Sequence, residues 1–102
     1  DFHRAVKSII EELEAVDWYN QRVDVTGDEP LKAILKHNRD EEMEHAAMIL
    51  EWVRRRSPEF DEHLKTFLFT EKDILAVEEE AEEDESEESG ESSSGDLGIG
   101  KL

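Results

Sequence analysis

The stretch Glu42-Met43-Glu44-His45 lies in a run whose seam residues step by four and three: Leu31, Leu35, Asn38, Glu42, His45, Ile49 and Trp52. That stepping is the seam of an amphipathic helix packed lengthwise against another helix. It predicts one unbroken helix from about Glu29 to Arg56. A carboxylate and an imidazole occupy positions where the pattern calls for apolar side chains. Their i, i+3 spacing puts Glu42 and His45 on one face, a turn apart. An isolated carboxylate in an apolar seam is costly unless it is paired or bound to a cation.

The preceding residues repeat the pattern. Phe2, Val6, Ile9, Leu13, Val16, Asn20 and Val23 step by four and three, which predicts a helix to about Val25 with one polar interruption. Thr26-Gly27-Asp28 breaks it. Gly27 is expected in the left-handed position that closes a helix, Asp28 as the cap of the next, and Pro30 in that helix's first turn. A connection this short between two long helices makes an antiparallel hairpin. Glu12 flanks the first seam on the line Ala5–Glu12–Tyr19, which repeats every seven residues. In such a hairpin the middle of helix one faces the middle of helix two. Glu12, Glu42 and His45 then fall at one level.

Beyond the hairpin, Arg54, Arg55 and Arg56 suit a helix C-terminus. Ser57-Pro58-Glu59 restarts a helix with a cap, a proline and an acid. Phe60, Leu64, Phe67 and Leu68 give that third, shorter helix an apolar side. Thr70 is read as the cap of a last short stretch ending near Ala76. From Glu78 the chain is a Glu/Ser/Gly tract without aromatics, which predicts a disordered linker over 78–94. Residues 95–102, Gly-Asp-Leu-Gly-Ile-Gly-Lys-Leu, alternate apolar residues with glycine. The expected organisation is a helical domain over 1–77, the linker, and this terminal peptide.

Charge divides the chain in the same place. Residues 1–77 carry 11 Lys+Arg against 18 Asp+Glu, and residues 78–102 carry 11 acids against Lys101 alone. The formal net charge of −17 argues against nucleic acid, which needs a basic footprint, and suits cation capture. With no cysteine, disulfides and thiolate metal sites are excluded. No apolar run approaches the ~18 residues of a membrane span. A folded part of fewer than ~80 residues has a core worth only a few kcal/mol, so a metal or a second copy is expected to complete it. The sequence opens already in helical pattern, so residues preceding Asp1 are expected.

Two carboxylates and one imidazole are half of a two-metal site. Di-iron carboxylate bundles draw one Glu from each of two helices and Glu-x-x-His from each of two others. Two copies of this chain about a two-fold axis would supply that set, and oxygen-rich donors with one imidazole per metal suit iron better than structural zinc. The competing reading is a solvated acidic face of Glu41, Glu42 and Glu44 with His45 at its edge. The residues alone leave both open. Glu11 and Glu14 are either a charged surface or a second, weaker cation site. Trp18 and Tyr19 are packing aromatics, or Tyr19 hydrogen-bonds a ligand or gives up an electron. Arg39, Asp40 and Glu44 read as ordinary helix pairs. His3, His37 and His63 read as surface or packing residues. No Ser-His-Asp order and no phosphate-binding glycine loop is present.

The blocks Glu11-Glu12-Leu13-Glu14-Ala15-Val16-Asp17-Trp18-Tyr19 and Asn38 to Met48 resemble the encapsulated ferritins. So do Leu50-Glu51-Trp52 and the stretch Phe67 to Glu71. The resemblance covers about residues 3–72 and the last residues of the chain. It implies an all-α, ferritin-like helical hairpin with a short third helix, dimerising into a four-helix bundle. It implies iron ligands at Glu12, Glu42 and His45 in a ferroxidase centre completed at the dimer interface, with Trp18 and Tyr19 close by. It further implies a metal uptake site at Glu11 and Glu14, open to calcium or another divalent cation, and a ring of five dimers. The segment 95–102 resembles an encapsulin cargo-loading peptide, with Leu97, Ile99 and Leu102 as apolar anchors. Residence inside an encapsulin nanocompartment in a bacterial or archaeal cytoplasm follows as an implication. The acidic linker is longer than the resemblance leads one to expect. The reading is therefore a ferroxidase that converts Fe(II) to Fe(III) for storage by a shell. A non-catalytic metal buffer and a structural cargo adaptor are the alternatives.

Overall fold

The structure, a computed structural model, describes residues 1–91. These residues form four helices: α1 (Phe2–Val25), α2 (Glu29–Arg56), α3 (Pro58–Phe67) and α4 (Ile74–Glu91). The all-α class expected from the seams is the one observed. No helix among the described residues is long and apolar enough to cross a membrane. The chain divides into two compact units, Asp1–Arg56 and Ser57–Leu102.

In the first unit, α1 and α2 pack along each other as a hairpin. The turn differs in detail from the sequence reading. Gly27 has no positive φ. The helix closes instead on extended Thr26 (φ −82, ψ 124), whose N–H reaches the Arg22 carbonyl at 3.0 Å and whose hydroxyl donates to the same oxygen. The threonine side chain does the work assigned to a left-handed glycine. Asp28 caps α2 as read, its Oδ2 accepting from Leu31 N–H at 3.0 Å, and Pro30 sits in the first turn, where a missing N–H costs nothing.

Burial in this unit is concentrated on Val23, Ala46 and Val53. Seam residues Phe2, Leu13 and Leu31 stay exposed, as do Ile10, Ile34 and Met48. A pair of helices is a single layer and cannot cover both of its sides. The most buried line on α2 runs through Arg39, Ala46 and Val53, one residue further along than the seam read through Asn38, His45 and Trp52.

In the second unit, Ser57 caps α3 by accepting Phe60 N–H at 3.1 Å, as read. Phe69 takes a left-handed backbone (φ 61) and is fully exposed, so the chain turns there at a steric cost. Two expectations are corrected. Thr70 accepts only Lys72 N–H, in a local turn, and Asp73 caps α4 through Ala76 N–H at 3.1 Å. That helix then runs through Glu91 rather than ending near Ala76, so residues 78–91 of the tract read as disordered are helical. Glutamate and alanine are strong helix formers, and a helix can persist on propensity without an apolar face. Position 77/78 lies within α4. The terminal peptide 95–102 lies outside the described residues.

Candidate metal centre

Glu12 projects from the middle of α1, and Glu42 and His45 from consecutive turns of α2. The hairpin brings one ligand atom of each within 4.8 Å of the others, and all three residues are half-buried. Glu12 Oε2 lies 3.4 Å from Nδ1 of His45. That approach lacks hydrogen-bond alignment, and Oε2 is buried with no hydrogen-bond partner. A buried carboxylate oxygen without a partner is costly, and a bound cation would relieve it.

Glu12 perturbs Glu42. Glu42 is pushed above the usual carboxylate range, first by a hydrogen bond with the Glu12 side chain, then by burial and by the Glu12 charge. His45 opposes the shift, and Glu41 adds to it. Like charges held this close make ionisation of Glu42 more costly. A divalent cation between the two carboxyls would offset that cost. Two oxygen donors and one imidazole form a donor set that transition metals such as iron accept, and the residues therefore fit a metal of that class.

The other sequence candidates separate from this trio. Tyr19 is half-buried on the Glu12 side of α1, with the Arg22 guanidinium 5.6 Å above its ring. Trp18 is 52% exposed and points elsewhere, as adjacent helical residues must. Glu11 and Glu14 are exposed on α1 and do not join the cluster. Sequence reading gave Arg39 an ordinary role along its own helix. It keeps that role, with Nη2 on Asp40 Oδ1 at 3.1 Å, and also crosses to α1, where Nη1 donates to Asn20 Oδ1 at 3.0 Å. The signal was present in the polar interruption of the first seam. His37 has an exposed neighbour in Glu41 at 3.6 Å.

Residues 1–71 match the family described as EncFtn-like. The chain belongs to the EncFtn-like family. It is similar over 102 residues, at 57% identity, to a Thermotoga maritima protein named ferritin-like protein, which spans 100% of this chain and 85% of that one. It is 54% identical over 106 residues to the encapsulated ferritin-like protein of Rhodospirillum rubrum, covering 98% of this chain and 76% of the relative. A shorter similarity, 44% over 63 residues, reaches the encapsulin nanocompartment cargo protein EncC of Myxococcus xanthus, over 61% of this chain and 48% of that protein. Among solved structures, protein ne0167 of Nitrosomonas europaea is similar with a TM-score of 0.71 and 66% identity, over 72% of this chain and 81% of that one. The EncFtn-like match takes in all three clustered residues and both flanking glutamates.

Proposed function

We propose that this EncFtn-like chain is a ferroxidase that takes Fe(II) as its substrate and becomes competent only when two copies meet about a two-fold axis. The observation that carries the reading is the convergence of Glu12, Glu42 and His45 around a buried carboxylate oxygen that lacks a hydrogen-bond partner. One chain offers three donor residues, too few to enclose a pair of ions. Two chains offer two copies of each, the complement used by carboxylate-bridged metal pairs in helical bundles. The uncovered side chains Phe2, Leu13 and Leu31 give the partner copy apolar surface to bury.

In this reading Glu12, Glu42 and His45 from both copies would hold the iron and supply the anionic oxygens and imidazole around it. Anionic oxygen donors favour Fe(III) over Fe(II), which makes iron a better reductant. Two Fe(II) ions supply two electrons, which with two protons reduce dioxygen to hydrogen peroxide, or hydrogen peroxide to water. Carboxylates bind iron in their deprotonated form, so affinity falls with acidification. Tyr19, on the Glu12 line, would orient a ligand or pass an electron, with Trp18 beside it. Glu11 and Glu14, doubled by the two-fold axis, would form the exposed uptake site, which calcium or another divalent cation can also occupy. Five such dimers would close a ring. The names of the Rhodospirillum and Myxococcus relatives support delivery to an encapsulin shell through residues 95–102, inside a cytoplasmic nanocompartment.

The test is oxygen consumption after anaerobic loading with Fe(II). Glu42→Ala should reduce aerobic oxidation to the uncatalysed rate while leaving helicity unchanged. Oxidation by that variant at the parental rate would remove the assignment. Tight binding of iron by the parent without accelerated oxygen uptake would make the protein a metal buffer instead.

A further inference from the structure

We infer that Asn20 and Arg39 form a positioning pair that sets the roll of α1 against α2 and so holds Glu12 opposite Glu42 and His45. The inference rests on the metal reading of that cluster and adds residues outside it. Asn20 interrupts the apolar seam of α1, a position where a polar group needs a reason to be kept. Its Oδ1 accepts from Arg39 Nη1 at 3.0 Å, in a part-buried bond between residues 19 apart in sequence. The guanidinium is braced in turn: Nε and Nη2 both donate to Asp40 Oδ1, at 3.2 and 3.1 Å. Only 24% of the Arg39 side chain is exposed, and its planar fork therefore sits in one orientation.

The three residues between Val25 and Glu29 fix how far the helices slide past each other. They do not fix how each helix rolls about its own axis. Asn20 stands eight residues from Glu12, roughly 80° around α1, and Arg39 stands three residues from Glu42, roughly 60° around α2 at 100° per residue. The pair and the cluster therefore lie on opposite flanks of one helix–helix contact, about 10 Å apart along it. Rolling α1 by about 20° would carry a carboxylate at a radius of ~5–6 Å by about 2 Å, the length of a metal–oxygen bond. The same roll would break the Asn20–Arg39 bond. A latch on one flank thus sets the opening of the other.

The test is Co(II) binding, followed by its visible absorption, on the full chain at matched oligomer mass. The variants are Asn20→Leu/Arg39→Met, which is apolar on both sides and suited to a seam, and Asn20→Asp, which keeps an acceptor for Arg39. The double variant should keep parental helicity and melting temperature yet bind Co(II) on the order of tenfold more weakly, the scale seen when supporting groups around metal ligands are removed. Asn20→Asp should retain parental affinity. The inference is overturned if the double variant binds as tightly as the parent, or if loss of affinity tracks loss of melting temperature through the series. Co(II) binding that survives Glu42→Ala would overturn the metal reading and this inference together. Unchanged affinity in the double variant alone removes only the latch.

Discussion

Replacing Glu42 by glutamine should make the metal-free protein more stable while making it deaf to metal. With ligand atoms of Glu12 and Glu42 within 4.8 Å, two full charges repel by about 0.9 kcal/mol in water and about 3.5 kcal/mol at an effective dielectric of 20. The cluster is only half-buried, so the screened end applies, about 1 kcal/mol. Glutamine removes that repulsion, and its amide supplies the donor that a protonated Glu42 would share with Glu12. For a domain of this size ~1 kcal/mol is a rise of about 4–8 °C in melting temperature.

The dependence on pH follows from the sign of the shift. Glu42 is raised above its ordinary value of 4.5, so ionising it costs more in the folded than in the unfolded chain. The parent should lose stability as pH climbs from about 4.5 through that raised value, and Glu42→Gln should lack the decline. The two proteins should then melt together near pH 4 and apart at pH 7. Adding metal inverts the order. At a hundred times its dissociation constant a ligand contributes about 2.7 kcal/mol to the parent, and Glu42→Gln should gain little of it. Thermal melts followed by circular dichroism, with a chelator and then with Co(II), check both halves. A lower melting temperature for Glu42→Gln in chelator at pH 7 would refute the idea that the cluster is strained without a cation.

Three further outcomes are expected. Glu51 is drawn down to about 2 by Arg54, which grips it at 2.7 and 2.8 Å, and by Arg55 at 2.7 Å. Its contribution is present above 4.5 and fades as pH falls towards 2, so melts of Glu51→Gln between pH 2 and 6 should lack that part of the acid slope, the more visibly at low salt. Ser57→Ala removes the acceptor for Phe60 N–H and should cost about 1 kcal/mol, read as a lower denaturation midpoint; no change would mean that α3 needs no cap. Removing residues 95–102 should leave Fe(II) oxidation intact and abolish co-purification with a co-expressed encapsulin shell; retained loading would sink the cargo role of that peptide.

Local chemistry made much of this molecule readable. Both long helices end where seam, cap and breaker agree, at Val25, Glu29 and Arg56, and Ser57 caps α3 as its side chain suggests. The trio was readable because helical spacing and a short turn together fix which levels meet. What escaped depended on competition between local options. A threonine hydroxyl displaced Gly27 as the closing device, and Asp73 displaced Thr70, in each case because two capable residues lay within a turn of each other. The acidic tract was judged by its lack of apolar surface, whereas its glutamates also carry high helix propensity, and α4 extends through it. The bond from Arg39 to Asn20 was missed because it exists only once the neighbouring helix is in place, and it is made alongside the expected contact with Asp40.

The same physical fact underlies the small core and the half-built centre. Two paired helices bury Val23, Ala46 and Val53 and leave Leu13, Leu31 and Ile34 in water, so the hairpin has little stability to spend on a strained carboxylate pair. A carboxylate cluster in a chain this short is tolerable only if a cation or a second copy compensates it. Within our proposal both arrive together: a partner hairpin covers the apolar side chains, and the doubled ligand set gives the metal enough donors to repay the repulsion. Dimer formation and metal affinity should then be thermodynamically linked, each strengthening the other by the same factor. Light-scattering mass against concentration, with and without Co(II), measures one side of that linkage, and Co(II) titration at two protein concentrations measures the other. Metal affinity independent of protein concentration across the monomer–dimer range would show that one hairpin alone completes the site.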